Sequence, residues 1–247
     1  MTMNVEYHAW WSPHLGQDME LKVYGHAGRP MLVFPAQGGR FYEFEDFGMI
    51  EACRAFVEGG QLQVFTVDSI DHQSWTNWNA PPAERARRHE DYDRYVVQEV
   101  APFVRRRAGD SRLKLLTAGV SMGGYHAGNF FFRHPDLFDG VICMSGLFQL
   151  SMFIGDYNDE TVYLNSPLHY LPNLNDPWYL EQYRRSHIVV CAGQGAWEEP
   201  MLADARALQS ILEAKGVPAW IDIWGPDVNH DWPWWRKMLP YFLGHMT

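Results

Sequence analysis

The chain alternates short apolar runs with helical patterns, and this alternation restricts the fold more than any other feature. Six apolar runs are predicted strands: Met31–Phe34, Val64–Val67, Leu113–Val120, Val141–Met144, Ile188–Cys191 and Trp220–Trp224. Helical patterns lie near 49–58, 83–107, 123–133, 200–215 and 233–243. Strands that alternate with helices need crossover connections, so the sequence predicts an α/β fold with a mostly parallel central sheet and helices on both faces.

Two segments depart from this alternation. The segments VEYHAW and MELKVYGH are separated by the turn-like SPHLGQD, and they predict an N-terminal antiparallel hairpin at the edge of the sheet. Residues 151–186 are rich in Asn, Asp, Pro and aromatic side chains, and they are too long for an ordinary connection. We therefore predict a single domain over 1–247, with 151–186 as a lid-like or edge excursion that roofs a site.

Charge and hydropathy argue against two classes of partner. The formal net charge is −10 and the chain has no run of five or more Lys and Arg residues, so we expect no nucleic-acid surface. The densest basic stretch, Arg105–Arg107, ends a predicted helix, where cations suit the helix dipole. No segment approaches the ~18 consecutive apolar residues of a membrane span. The N-terminus lacks the pattern of a signal peptide.

The three cysteines favour a reducing compartment. Cys143 and Cys191 lie within the apolar runs VICMSG and IVVCAG, and Cys53 makes the number odd. Buried free thiols are typical of compartments in which disulfides are kept reduced, so we expect a cytoplasmic location. The chain has no CxxC pair with zinc spacing, and we expect no metal site.

The segment GVSMGG places Ser121 between a predicted strand and a predicted helix. At a nucleophile elbow a strand turns sharply into a helix, and the residues two positions either side of the serine must be small because strand and helix nearly touch. Gly119 and Gly123 meet that demand. The alternative is that Ser121 caps the helix in an ordinary strand-to-helix turn.

A serine nucleophile needs a histidine and an acid, which follow it in chain order in this architecture. His230 lies in GPDVNHDWPWW, directly after the last predicted strand, where a loop lets the ring turn toward the serine. The alternative is a surface histidine beside Asp231. The preceding strand is followed by QGAWEEP, which offers Glu198 and Glu199. Either glutamate also fits an ordinary first-turn carboxylate of the helix that Pro200 opens.

Acyl transfer also needs backbone donors for the oxyanion. One candidate is the amide of Met122, directly after the serine. The other comes from the loop PAQGGRF after the first parallel strand, at Gln37 or Gly38. Glycines let this backbone approach a ligand closely, although a plain tight turn would use them as well.

At these residues the sequence resembles the putative-esterase branch of the α/β-hydrolase superfamily, which contains feruloyl esterases, S-formylglutathione hydrolase, enterochelin esterases and the antigen 85 mycolyltransferases. GVSMGG is similar to the elbow of that branch, RHPDLFDGVICMSG to the following helix end and strand, and NHDWPWWRKMLPYF to its histidine loop. The resemblance covers most of residues 30–243. FPAQGG replaces the usual HG oxyanion loop, and Ala196 stands where many relatives have an aspartate. The spacing in the mycolyltransferases favours Glu199 over Glu198 as the acid.

The resemblance implies an α/β-hydrolase fold and a serine hydrolase that cleaves carboxylic esters through an acyl-enzyme, without cofactor or metal. Ser121 would be the nucleophile, His230 the base, and Glu199 or Glu198 the acid. Two alternatives remain: an acyltransferase with the same nucleophile, and a non-catalytic binding or scaffold protein with a hydrolase fold. A homo-oligomer is compatible with the sequence.

Five tryptophans give the sequence's one indication of the substrate. They follow predicted strands at the ligand-binding edge of such a sheet, and they are Trp75, Trp78, Trp232, Trp234 and Trp235. They suggest a small-molecule ester with an apolar or aromatic acyl group. Aromatic side chains are also ordinary core and lid residues, so the alternative is that these rings only pack.

Overall fold

The computed structural model describes residues 3–246, which form an eight-stranded sheet flanked by helices. The strands are β1 (Val5–Ser12), β2 (Gln17–Tyr24), β3 (Arg29–Phe34), β4 (Leu62–Val67), β5 (Leu115–Val120), β6 (Phe138–Met144), β7 (His187–Ala192) and β8 (Trp220–Ile223). The α-helices are α1 (Glu43–Asp46), α2 (Met49–Ala52), α3 (Arg54–Glu58), α4 (Pro82–Tyr95), α5 (Ala101–Ala108), α6 (Met122–Arg133), α7 (Ser151–Ile154), α8 (Glu160–Leu164), α9 (Pro167–Tyr170), α10 (Pro177–Arg184), α11 (Glu199–Ala214) and α12 (Trp232–His245). Short 3₁₀ turns occupy Asp71–Gln73 and Leu171–Asn173, and a π-helical turn occupies Val96–Val100.

The strand order of the sheet creates a crevice at its centre. The order is β1-β2-β4-β3-β5-β6-β7-β8, with β1, β2 and β4 joined antiparallel and all pairs from β4 to β8 parallel. The chain runs outward in opposite directions from β3 and β5, so the loops that follow these strands diverge. Ligands of open α/β sheets bind at such a switch point, beyond the carboxyl ends of the strands.

Two apolar cores cover the two faces of the sheet. One packs side chains of α4 to α6 and α11, such as Phe130 and Leu208, against β5, β6 and β7. The other packs α2, α3 and α12, with Met49 and Phe242 among its members, against β3, β4 and β5. Central strands buried on both faces explain why the runs in the sequence are continuously apolar rather than alternating.

The predicted elements correspond closely to the observed ones. The hairpin forms β1 and β2, joined through a turn in which Gly16 has a φ of 65°. The helix predicted over 49–58 is divided at Cys53 into α2 and α3. The long helix predicted over 83–107 is continuous but contains the π-helical turn, which ends two residues before Pro102. Proline has no N–H to donate, and a local change of helical pitch accommodates the missing hydrogen bond.

The segment 151–186 connects β6 to β7 and packs mainly on helices. It consists of α7 to α10, with α8 against α4 and α9 against both α6 and α11. The buried side chain of Tyr183 donates a hydrogen bond to the carbonyl of Phe132 at the end of α6. The segment therefore extends the layer of helices on one face, and its first turn lies beside the cavity described below. Over residues 3–246, none of the helices combines the length and apolar character that crossing a membrane requires.

The three thiols are buried and unpaired, as the apolar context of Cys143 and Cys191 predicts. Burial raises the pKa of Cys53 to about 12, and it also raises the pKa of the thiols of Cys143 and Cys191. A thiol held neutral and out of contact with solvent is a poor nucleophile.

We expect all three thiols to be unreactive toward a soluble aromatic disulfide reagent in the folded protein, because attack requires an accessible thiolate. Titration in denaturant should reveal all three, and reductant should leave ester turnover unchanged. A thiol that reacts rapidly in the folded state, or a loss of turnover under reductant, would contradict this prediction.

Candidate active site

Ser121 alone makes the turn from β5 into α6. Its φ is 55° and its ψ is −123°, between the end of the strand at Val120 and the start of the helix at Met122. A positive φ is uncommon outside glycine and marks a strained backbone held in place by its surroundings. The side chain faces a cavity and bonds to His230 rather than capping the helix. The turn therefore has the geometry of a nucleophile elbow.

The elbow depends on glycines at close contacts. A Cβ on Gly119 would lie 2.1 Å from the carbonyl oxygen of Gly123, and one on Gly123 would lie 2.2 Å from the carbonyl oxygen of Phe34. The prediction that small residues are needed two positions either side of Ser121 is confirmed. A second close contact, between Gly124 and Gly146, brings the end of β6 against the first turn of α6.

His230 lies within hydrogen-bonding distance of the serine. Its Nε2 is 2.9 Å from Ser121 Oγ, although the two residues are 109 positions apart in the sequence. The edge of the ring packs against Trp235 at a centroid distance of 4.9 Å. Asp231, the partner in the alternative interpretation of this histidine, instead caps α12 by accepting the Trp232 N–H. The imidazole is thus oriented toward the serine.

Glu198 is the carboxylate beside the imidazole. Its Oε1 is 3.1 Å from His230 Nδ1, and the side chain is fully buried. Because a carboxylate can only accept, Nδ1 carries the proton and Nε2 is left as the acceptor of the Ser121 hydroxyl. Two further donors reach Glu198, the hydroxyl of Ser145 at 2.6 Å and the N–H of Gly193 at 3.1 Å. A buried carboxylate that accepts three hydrogen bonds is compensated for the loss of water.

The preference for Glu199 over Glu198 differs from the observed geometry. Glu199 is the first residue of α11, and its side chain is exposed at the mouth of the cavity. Glu198, one residue earlier, precedes the helix and directs its side chain back toward His230. A turn of about 100° separates successive helical residues, so one position decides which carboxylate faces the imidazole. Glu199 instead occupies the place of an ordinary first-turn carboxylate.

Two paired loops hold the histidine and the acid together. The loop after β7 and the loop after β8 are joined by backbone hydrogen bonds from Gly195 N to Val228 O at 2.8 Å and from His230 N to Ala196 O at 3.0 Å. Asn229 adds its side-chain oxygen to the Ala196 N–H at 2.8 Å. The relative position of the two catalytic candidates is therefore set by main-chain pairing.

Ser145 is a site residue that the sequence reasoning missed. It follows β6, has a φ of 51°, and donates to Glu198 while accepting from Trp235 Nε1 at 2.9 Å. Its backbone N–H bonds to Cys191 O at 2.7 Å. The available signal is the Ser-Gly pair directly after a buried strand, at the carboxyl edge where site residues collect. Ser145 links the acid to the ring that packs on His230.

The loop after β3 carries the second group of oxyanion candidates. Gly39 N bonds to Ala36 O at 2.9 Å, which closes a turn with Gly38 at its third position and a φ of 76°, as a type II turn requires. Glu43 Oε2 accepts the Ala36 N–H at 2.7 Å, and its carboxyl group fills the space beside Gly39. Gln37 lines the same cavity as Ser121 and Met122, and Gly38 lies one residue farther along the turn. Glu43 therefore anchors this loop through its contacts with Ala36 and Gly39.

The cavity beside Ser121 has a volume of about 620 Å³, within the usual range for small-molecule sites. Much of its wall is apolar, and the residues that form this part are Met122, Leu147, Met152, Phe153, Trp197 and Met201. His230 and Glu199 contribute its polar edge. The site can therefore take an uncharged, largely apolar small molecule.

The tryptophans singled out in the sequence do not form this wall. Trp75 and Trp235 are buried in the interior, and Trp232 stacks on Phe47 at 4.3 Å. Within residues 3–246, none of the five lines the cavity, and the indole that does is Trp197. Rings near the end of a strand pack in whichever direction the neighbouring helices leave open, and position along the chain does not reveal this.

The fold and the Ser–His–Glu arrangement at a strand-to-helix turn define an α/β-hydrolase. Residues 12–246 match the family described as putative esterase, and the chain belongs to that family of carboxylic-ester hydrolases. The predicted fold and the predicted resemblance are confirmed. A search of curated protein sequences found no significant match.

Solved structures share this fold over nearly the whole chain. A ferulic acid esterase superposes with a TM-score of 0.78 at 19% identity, over 100% of this chain and 98% of that one. The S-formylglutathione hydrolase of Staphylococcus aureus gives 0.74 at 18%, over 99% and 96%. A fluorophosphonate-binding serine hydrolase of Staphylococcus aureus gives 0.69 at 20%, over 100% and 99%. At these identities the likeness establishes the fold alone.

Glu43 should make stability depend on pH. Burial, with a contribution from nearby Asp71, raises the pKa of Glu43 to about 7 from its ordinary 4.5. Between these values the unfolded chain releases the proton while the folded chain keeps it, so stability falls as pH rises through this window. We expect the melting temperature of wild type to decline relative to Glu43→Gln between pH 4.5 and pH 7.

Glu45 provides the matched control for this measurement. Although burial raises its pKa, hydrogen bonds from Lys22 and Tyr24 lower it below the ordinary value. Its stabilising contribution is lost only as pH falls below 4.5, so the difference between wild type and Glu45→Gln should stay flat across the same window. A Glu43→Gln curve parallel to wild type would show that Glu43 does not retain its proton.

Proposed function

We propose that the protein hydrolyses carboxylic esters through an acyl-enzyme on Ser121, with His230 as general base and Glu198 as the acid that orients it. The observation that carries this proposal is the continuous set of hydrogen bonds from Ser121 Oγ to His230 Nε2 at 2.9 Å and from His230 Nδ1 to Glu198 Oε1 at 3.1 Å. Nucleophile, base and orienting acid are then in reach of one another, which is the requirement for activating a serine.

In the acylation step, Ser121 Oγ forms a bond to the acyl carbon while its proton passes to His230 Nε2. The carbonyl π electrons move to oxygen and give a tetrahedral oxyanion. Collapse of this intermediate breaks the bond to the leaving alcohol, which takes the proton from Nε2. The products are the acyl-enzyme and a neutral alcohol, and His230 returns to its neutral form.

Deacylation repeats the sequence with water. His230 Nε2 removes a proton from water as its oxygen attacks the acyl carbon, and the same proton then passes to Ser121 Oγ as the acyl–oxygen bond breaks. The carboxylic acid leaves and the free serine is restored. In both steps Glu198 stabilises the positive charge that develops on the imidazole.

The oxyanion would be held by backbone amides. Met122 is the first residue of α6, so its N–H has no acceptor within the helix and points outward at the positive end of the helix dipole. Gln37 is the favoured second donor because it lines the cavity with Ser121, and Gly38 in the same turn is the alternative. The anchoring of this loop by Glu43 would preorganise the second donor before substrate arrives.

Replacing Ser121 with alanine should remove nearly all turnover of short p-nitrophenyl esters, because no acyl-enzyme can form. A fluorophosphonate probe should label wild type once and should not label Ser121→Ala. Ser111→Ala, at an exposed serine that does not line the cavity, provides the control and should behave as wild type. Turnover by Ser121→Ala at the wild-type rate would refute the assignment of the nucleophile. Product analysis with added alcohol in the same assay separates hydrolysis from acyl transfer.

The two adjacent glutamates allow a direct test of the acid. Glu198→Gln keeps the shape of the side chain but loses the charge that stabilises the imidazolium, and turnover should fall on the order of 10²–10⁴-fold. Glu199→Gln removes a charge at an exposed position and should change turnover by no more than about threefold. Both variants should be compared on one neutral ester, with melting temperatures to control for folding.

A severe loss in Glu199→Gln with a mild one in Glu198→Gln would reverse the assignment. Equal, mild losses in both would mean that His230 works without a carboxylate partner.

A further inference from the structure

In the described part of the chain, the residues other than glycine that have a positive φ lie together at one place. Among residues 3–246, three residues other than glycine have a positive φ: Ser121, Ser145 and Trp197. All three line the cavity beside the nucleophile. The first turns the chain at the elbow, and the second joins Glu198 to Trp235. Trp197 has neither function, so its conformation needs a separate explanation.

Both the backbone conformation and the solvent exposure of Trp197 are unfavourable in the free protein. A bulky side chain at a φ of 68° is a backbone outlier, of the kind that clusters at ligand sites. Its side chain is also 84% exposed, more than any other large apolar side chain in residues 3–246. An exposed indole leaves a large apolar area in contact with water. A bound apolar group would remove that area from water.

The neighbours of Trp197 impose its position. On one side, the Ala196 N–H donates to Asn229 Oδ1 at 2.8 Å. On the other side, Glu198 is fixed by its bonds to His230, Ser145 and Gly193. The backbone at 197 is therefore held from both ends, and the ring is kept at the mouth of the cavity. The same anchors that build the candidate triad place this indole.

The other lining residues near Trp197 include several apolar side chains from three parts of the chain. Leu147 follows β6, Met152 and Phe153 belong to α7, and Met201 belongs to α11. Met152 is itself 53% exposed, and the 62% exposed ring of Trp78 stacks on Phe153 at 6.4 Å. Neither Lys nor Arg is among the lining residues from the described part of the chain, and Glu199 stands at the edge. An acyl group with a carboxylate would be repelled here.

We propose that Trp197 is a specificity-determining residue that covers the acyl group of the substrate, and that the cavity selects uncharged apolar acyl groups longer than acetyl. This inference rests on the proposed function. His230 must protonate the leaving oxygen, so the leaving alcohol lies against the imidazole. The acyl group then extends along the wall that Leu147, Met152 and Phe153 form, with the indole of Trp197 facing it.

The test compares three p-nitrophenyl esters that share one leaving group: acetate, hexanoate, and the mono-ester of adipic acid, whose acyl chain has the same length as hexanoate but ends in a carboxylate. Wild type should favour hexanoate over acetate in kcat/KM and should disfavour the adipate ester. Trp197→Ala should lower the ratio of hexanoate to acetate about tenfold, the scale at which apolar pockets discriminate. Trp197→Phe should recover most of the ratio.

Two further variants control the experiment. Trp178→Ala removes an indole that is 48% exposed on α10, away from the cavity, and should leave the ratio unchanged. Trp197→Gly removes the ring without placing a Cβ in a left-handed backbone, so it should fold readily and melt about 2–4 °C above Trp197→Ala. It should lower the ratio as much as the alanine variant does.

An unchanged ratio in Trp197→Gly overturns the inference, as does equal wild-type turnover of hexanoate and adipate esters. A second ester series, with one acyl group and different alcohols, gives a further check. If Trp197→Gly alters kcat/KM ratios only in that series, Trp197 contacts the alcohol and the inference is overturned. Fluorophosphonate labelling distinguishes a failure of this inference from a failure of the proposed function. If wild type is labelled and hydrolyses esters while the ratio is unchanged, the role of Trp197 alone is wrong. If wild type is neither labelled nor active, the proposed function fails as well.

Discussion

The contact between the start of α6 and the end of β3 is the constraint on which the site depends. Gly123 lies so close to the carbonyl oxygen of Phe34 that a Cβ would come within 2.2 Å of it. This contact brings the loop after β3 beside Ser121 and holds the strained turn that exposes the hydroxyl. Any larger residue at 123 would have to separate helix from strand, and the two groups of proposed oxyanion donors would separate with them.

A buried charge is the second constraint. Glu198 is fully buried, and an ionised carboxylate without partners would be strongly destabilising there. Ser145, Gly193 and His230 each contribute a donor, from three different loops. The carboxylate therefore joins the loops after β6, β7 and β8 into one unit. Removing its charge should affect both the orientation of the imidazole and the packing of these loops.

Strain and function coincide in this protein. The three left-handed residues other than glycine within 3–246 all face one cavity, and they follow strands β5, β6 and β7, whose side chains are mostly buried. A rigid sheet with two apolar cores can hold unfavourable backbone conformations at its carboxyl edge, because the surrounding packing over-determines them. The proposed nucleophile Ser121, the partner Ser145 of the proposed acid, and the proposed acyl-covering residue Trp197 each occupy one such position.

The sequence by itself determined three features, because each is a local pattern. Apolar runs between helical patterns indicate the α/β alternation, and glycines two positions either side of a serine indicate the elbow at Ser121. A histidine directly after the last predicted strand indicates the loop that carries His230. Tertiary structure alone decided which adjacent glutamate faces the imidazole, that Ser145 supports it, and that Trp197 rather than the five expected tryptophans lines the cavity. Each of these depends on how the loops after β6, β7 and β8 pair in space. Side-chain direction at a loop or at a helix start is set by contacts with residues distant in the chain. Local sequence spacing does not predict these contacts.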